Sequence, residues 1–280
     1  MKKFMKYEFK GTYKFILGIL AIVILASTII QFNIYRETQS LNYMQDSSFN
    51  FMRFMFVVSI FVIFGAFLTA FFYIVGSFRK ELYEDRGYLT FTLPLTGNQI
   101  LGAKLAASLI WFAVLGIGTV IYNLILAMIL FGGNWLELFK EVFYMINSGV
   151  ISITVTGILS SILTLILIYL SMALSKVTIR NKKIDGLWFI VFLIINSIAS
   201  YISFKASTAL PYYIDIMNFK VLGMRDINIL QYANNGVTQM ILFGDNYQAY
   251  LNVTGLVIQL LMSIGAFLTT GYLIEKRIDL

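Results

Sequence analysis

The chain has 280 residues, 59% of them hydrophobic and only 12% charged, with a formal net charge of +7. A soluble domain carries about 25% charged residues; a chain this apolar could not cover its own surface in water, so its solvent is partly lipid. Cysteine and histidine are both absent, which excludes disulfides, thiol nucleophiles, the usual zinc sites and histidine-based general-base catalysis.

The N-terminal tail, residues 1–14, interleaves five lysines with Phe4, Met5, Tyr7, Phe9 and Tyr13. On a helix, Met5, Phe9 and Tyr13 lie four apart on one face, with Lys3, Lys10 and Lys14 mostly on the other. This pattern fits an elbow helix lying in the headgroup plane before the first span. A disordered basic tail that serves only topology is the alternative.

Six apolar runs follow, at about 15–32, 54–76, 105–131, 149–174, 187–204 and 251–274. A helix needs about 20 residues to cross about 30 Å of hydrocarbon. The runs are unbroken rather than alternating, which is not the pattern of a membrane β-barrel. The first run is too long for the core of a signal peptide. The predicted fold is therefore an all-α integral membrane protein, a single transmembrane domain over 1–280 with six transmembrane helices.

Lys and Arg give the orientation. Fifteen of the 21 lie in the N-terminal tail, in 77–104, in 175–186 and at the C-terminus. The richer side is cytoplasmic by the positive-inside rule, so both termini are expected in the cytoplasm of a multi-pass protein of the cell membrane. The same pattern reads the positive charge as topological, with the lipid bilayer and no nucleic acid as partner. Asn123, Asn196 and Gln259 stand out within the runs. They read as interhelical hydrogen-bonding groups in preference to substrate contacts. The runs contain no Asp, Glu, Lys or Arg, whereas ion-coupled carriers place such groups inside the bundle. Small residues four apart (Gly65/Thr69, Ala66/Ala70, Gly265/Thr269) suggest close helix packing or a dimer face.

The segment 77–104 is the least uniform. Residues 79–86 are charged and helix-compatible, Gly87 is a plausible C′ residue, and Pro94 stops any regular element. Thr96 and Gln99 then form a capping box, with Leu95 and Ile100 at the positions of a hydrophobic staple. A helix is expected to restart near Gly97. Gly97 and Gly102 have the glycine spacing of a Walker A loop, but Ala103 stands where Lys is required. The segment 205–250 is long and not very polar, with apolar patches at 210–214, 227–230 and 240–243. They are expected to form short outer helices before span 6.

The run Glu-Asp-Arg-Gly-Tyr-Leu-Thr-Phe-Thr-Leu-Pro-Leu-Thr at 84–96, followed by Gln-Ile-Leu and a Lys before an apolar span, resembles the loop between spans 2 and 3 of ATP-binding-cassette permeases of the type-2 exporter class, especially those of low-GC Gram-positive bacteria. Lys-Tyr-Glu-Phe-Lys at 6–10 resembles their N-termini. The resemblance covers the whole chain in layout but only residues 84–104 in sequence. It implies a cytoplasmic coupling helix between spans 2 and 3, carried by Glu81, Leu82, Tyr83, Glu84, Asp85, Arg86, Gly87 and Tyr88, that contacts a separate ATPase subunit. As a helix it is expected to present Leu82, Tyr83 and Arg86 to that partner. The resemblance further implies a permease that pairs with a second copy or a related permease and exports a hydrophobic or amphipathic peptide, drug or lipid. This chain is then not an enzyme. It has no catalytic, cofactor or metal site of its own, and ATP and Mg are held by the ATPase. Apart from the resemblance, a non-transporting membrane scaffold or sensor subunit stays open, and a channel is a weaker alternative.

Overall fold

In the computed structural model, residues 2–39, 47–83, 94–132, 140, 148–178, 186–216, 219–223, 240–243 and 249–277 are described. Their order is α1 (Lys2–Gln39), α2 (Ser47–Tyr83), α3 (Gly97–Phe131), α4 (Ser148–Thr178), α5 (Leu187–Ala209), β1 (Tyr212–Asp215), β2 (Lys220–Gly223), β3 (Ile241–Phe243), β4 (Ala249–Asn252) and α6 (Val253–Lys276). All six helices are long and apolar enough to cross a membrane. Each coincides with one of the six apolar runs, and the chain is a multi-pass membrane protein. The reason is the solvent: hydrocarbon satisfies no backbone N–H or C=O, so each run must close its hydrogen bonds within itself.

The chain groups into two compact units. The first comprises Met1–Phe78 and Gly102–Lys140, the second Arg79–Leu101 and Glu141–Leu280. In the first unit, Ile16, Ile19 and Val23 of α1 pack with Ala66, Ala70 and Ile74 of α2 and Leu115 of α3. The spacings of three and four place each set on one helix face. A Cβ at Gly118 would meet the Leu20 side chain at 3.5 Å, so α1 and α3 are in close contact there. Phe15 stacks on Tyr73 with ring centroids 3.9 Å apart.

The tail is helical, but no separate elbow is shown. Residues 2–14 continue directly into the first span as one helix of 38 residues. At 1.5 Å per residue it is about 57 Å long, well beyond the hydrocarbon thickness. What holds its first turns is α3. Glu8 accepts an ion pair from Lys104 Nζ at 2.8 Å, and Lys104 is only 2% exposed. The Lys104 ammonium also lies 5.9 Å from the Phe4 ring centroid. Trp111 Nε1–H donates to Thr12 Oγ1 at 2.8 Å, and Phe9 meets Trp111 edge to face. Met5 and Phe9 are half-buried, while Tyr13 is exposed.

In the second unit, α4 is the most enclosed helix. Leu165, Ile166, Leu167, Ile168 and Tyr169 are all buried, so that stretch is covered all round, as expected of a helix at the centre of a bundle. Both α5 and α6 pack against α4. Ala66 and Ala70 are buried as the small-residue spacing suggested, whereas Gly65, Thr69, Gly265 and Thr269 face outward.

The expected short outer helices are corrected by the structure. The described part of 205–250 carries a four-stranded antiparallel sheet in the order β2-β1-β4-β3. Tyr212 faces Gly223 and Ile214 faces Val221; Tyr213 faces Asn252, and Ile241 faces Leu251. Tyr, Ile, Val and Leu fit a pleated, half-buried surface, and Pro211, between the end of α5 at Ala209 and the start of β1 at Tyr212, cannot continue the helix. Residues 227–230 lie outside the described residues. The last span also begins at Val253 rather than at 251, because Leu251 and Asn252 belong to β4. Asn252 ties the sheet to two helices: its Oδ1 accepts from Gly255 N–H at 2.8 Å to cap α6, and its Nδ2 donates to the Ser207 carbonyl of α5 at 3.2 Å.

Because Lys104 is enclosed, removing Glu8 would take away a close ion-pair partner. Breaking a buried pair costs about 3–5 kcal/mol. We expect Glu8→Ala to lower the thermal unfolding midpoint in detergent far more than Lys10→Ala, a change at an exposed site. The double variant Glu8→Ala with Lys104→Met should recover part of the loss. Equal midpoints for the two single variants would contradict this packing.

Candidate functional site at the helix ends flanking residues 84–93

The candidate coupling residues fall at the end of α2 and beyond it. Phe78, Glu81 and Leu82 are all buried, and their spacing of three and four puts them on one inward face. Leu82 is 1% exposed, so its side chain is enclosed and not presented on the surface of the chain. Tyr83 is half-buried. Its hydroxyl donates to the Met172 carbonyl of α4 at 3.1 Å, and the Lys176 ammonium lies 5.3 Å from its ring centroid. A cation over an aromatic face adds about 0.5–2 kcal/mol, depending on desolvation. Glu84, Asp85, Arg86, Gly87 and Tyr88 lie outside the described residues, so the structure shows no separate coupling helix.

On the far side of residues 84–93 the chain re-enters α3 as the capping box required. Gln99 N–H donates to Thr96 Oγ1, and Thr96 N–H donates to Gln99 Oε1, each at 3.3 Å. Ile100 and Leu101 of the first turn are buried. Gly97 N–H donates to Glu275 Oε2 of α6 at 3.1 Å. A carboxylate at a helix N-terminus is favoured by the helix dipole as well as by the hydrogen bond. A Cβ on Gly97 would collide with the Gly271 carbonyl oxygen, and one on Gly271 would collide with the Asn98 side chain. The start of α3 and the end of α6 therefore cross closely, with Gly97 against backbone and Gly271 against the Asn98 side chain.

The segment 84–93 is thus flanked by two fastened ends in one unit. Tyr83 holds the first to α4, and Gly97 holds the second to α6. Sequence reasoning located Thr96, Gln99 and Tyr83 but not Gly271, Glu275 or Met172. No local signal marks those residues, since the contact pairs positions 178 residues apart.

The polar groups within the spans are placed as follows. Asn123 lies in a hydrogen-bonded group between α1 and α3. Ser27 Oγ–H and Gln31 Nε2–H each donate to its Oδ1 at 2.6 Å, and its own Nδ2 donates to the Thr119 carbonyl at 2.8 Å. Thr28 and Tyr122 hydroxyls pair beside it at 2.6 Å. Gln259 Nε2 donates to Ser160 Oγ, joining α6 to α4 at 2.8 Å. Asn196 is half-buried on α5, with no side-chain hydrogen bond to the described residues. Gln31 is a partner that the sequence reading missed, although it sits in the first apolar run.

Comparison with known protein families, curated proteins and solved structures found no match.

The glycine crossing gives a graded expectation. Gly97→Ala drives a methyl into backbone and should cost about 1–3 kcal/mol, as overpacking does. Gly271→Ala meets a movable side chain instead, so Asn98→Ala should restore it. Thermal unfolding in detergent should rank Gly97→Ala lowest, Gly271→Ala next and the double variant Asn98→Ala with Gly271→Ala near the parent. A harmless Gly97→Ala would show that the helices do not cross this closely.

Proposed function

We propose that this chain is the permease subunit of an ATP-driven exporter, with both termini in the cytoplasm and residues 84–93 forming the contact for a separate ATP-binding-cassette ATPase. The observation that carries the reading is the double fastening of that segment, by Tyr83 to α4 and by Gly97 to α6. A segment fixed at both ends to one helical unit passes on a displacement, where a slack tether would absorb it. In this scheme ATP binding closes a pair of ATPase subunits, the segment moves with them, and the unit carrying α4, α5 and α6 follows as a body.

Two sequence features support the same reading. Residues 84–104 resemble the corresponding loop of type-2 exporter permeases, and the absence of Asp, Glu, Lys and Arg from the apolar runs suits a transporter whose energy arrives from outside the bundle. The burial of Leu82 moves the partner-facing role to residues beyond α2. Glu84 and Asp85 supply negative charge for cationic groups on the ATPase, and Arg86 and Tyr88 are the larger anchors. The N-terminal residues Met5 and Phe9 act as a brace for the first span in place of a free interfacial elbow. The permease works as a pair, with itself or with a related chain, around a path for a hydrophobic or amphipathic substrate.

Purification from native membranes in mild detergent tests the proposal. An ATP-binding-cassette ATPase should copurify with the parent chain, and Glu84→Lys with Asp85→Lys should weaken that complex in a salt-dependent way. Tyr83→Phe removes one hydrogen bond, worth about 0.5–1.5 kcal/mol. It should leave copurification intact while lowering the permease-stimulated hydrolysis rate about twofold to tenfold. Absence of any ATPase from the parent preparation, or an unaltered complex with the charge-reversed chain, would overturn the assignment.

A further inference from the structure

The sheet leaves one apolar edge uncovered. Tyr212 and Ile214 share a face of β1, and Val221 of the edge strand β2 stands opposite Ile214 on that face. The middle of this face is buried: Ile241 and Leu251 form a small core with Ile214 and Leu256 of α6 packed against it. Towards β2 the cover ends. Leu210, Tyr212, Val221 and Phe219 are 52%, 53%, 57% and 78% exposed. Phe219 also occupies the left-handed backbone region, with φ of 50°. That conformation suits Gly or Asn and strains a bulky aromatic residue. An exposed phenylalanine in a strained turn calls for a use outside the sheet's own packing.

Position along α5 identifies what meets this edge. The outward residues Ile194, Ile198, Tyr201 and Ile202 of α5 are exposed apolar side chains on a membrane span, so they face lipid. Near the end of that helix, Lys205 lies over the Tyr201 ring with its ammonium 5.8 Å from the centroid. A basic residue paired with an aromatic one near a span's end marks the headgroup level. From Lys205 to the end of α5 at Ala209 the chain rises about 6 Å. The polar layer of one leaflet is itself about 5–8 Å deep. Leu210 follows at once and β1 starts at Tyr212, so the chain passes from the lipid-facing helix α5 straight to the exposed edge.

We propose that Leu210, Tyr212, Phe219 and Val221 seat the β1–β2 edge in the interfacial layer of the leaflet at this end of α5, making the sheet a lipid-bound anchor between α5 and α6. The occupant is the bilayer itself, of a depth between headgroup and acyl carbonyl, because the aliphatic and aromatic side chains carry no charge for a polar partner to read. The inference needs only the multi-pass membrane reading and is independent of the exporter assignment.

The cysteine-free sequence allows a direct test. Single variants Tyr212→Cys, Val221→Cys and, as an exposed polar reference, Lys140→Cys are spin-labelled and reconstituted in phosphatidylcholine–phosphatidylglycerol vesicles. Collision with oxygen and with a water-soluble nickel chelate then reports depth. Labels at 212 and 221 should favour oxygen over the chelate, at a depth near the headgroup–carbonyl boundary, while the label at 140 favours the chelate. Adding Phe219→Asn, which relieves the strained turn, should preserve the unfolding midpoint in detergent yet raise chelate access at 221 at least twofold. Chelate access at 221 equal to that at 140 would overturn the proposal. So would shielding from both reagents, the sign of a protein partner or a second copy over this edge, and so would an unchanged depth with Phe219→Asn.

Discussion

Hydrocarbon offers a backbone amide nothing to bond to, and that constraint organises this protein. It makes each apolar run a helix, and it favours hydrogen bonds between polar side chains on neighbouring helices. Asn123 shows the consequence most fully. One amide on α3 gathers Ser27 and Gln31 of α1 around it, so α1 and α3 are held in a fixed rotation relative to each other. Nearer the start of α1 the same pair of helices is fixed again by Glu8 and Lys104, with Trp111 filling the gap between the two levels. Apolar packing alone would leave such helices freer to rotate, because lipid tails satisfy Leu or Ile as well as another helix does.

The parts of this fold that were legible in the sequence are the parts decided locally. A run of apolar residues long enough to span needs no distant partner to become a helix. The capping box at Thr96 and Gln99 is likewise a matter of three residues and formed as read. The contacts that position the candidate site were not legible. Gly97 needed its glycine because Gly271, from the last helix, crosses it, and nothing near either residue announces the other. The sheet was missed for a related reason. Its strands are three or four residues long, too short for alternation to declare itself, and their identity depends on pairing across the segment. The tail was read as a separate interfacial helix because its lysines and aromatics suit one. No breaker separates Lys14 from Phe15, however, and a helix with a partner waiting on α3 has no reason to stop.

In the proposed scheme the burial of Leu82 shifts the partner contact beyond the end of α2. An exposed anchor at that position would make the end of α2 a handle. Buried, it makes the end of α2 a fixed post, with Tyr83 bonded to α4. The matching post is Gly97 on α6. The candidate site is therefore defined by two rigid supports in one unit, and the charged residues from Glu84 onward are the part that distinguishes this stretch from an ordinary connector. Tight glycine contacts at one support and a cation–aromatic contact at the other are short-range interactions. In the proposed exporter they would pass on a displacement only while they stay closed.

The central claim is that residues 84–93 meet an ATPase in the cytoplasm, and cross-linking in living cells tests it most directly. A photoreactive amino acid placed at Asp85 captures whatever lies within a few ångströms of that position. The account predicts a single dominant adduct whose partner is a cytoplasmic ATPase carrying a Walker A loop. Adducts only with lipid, only with another copy of the chain, or with a protein that binds no nucleotide would contradict it.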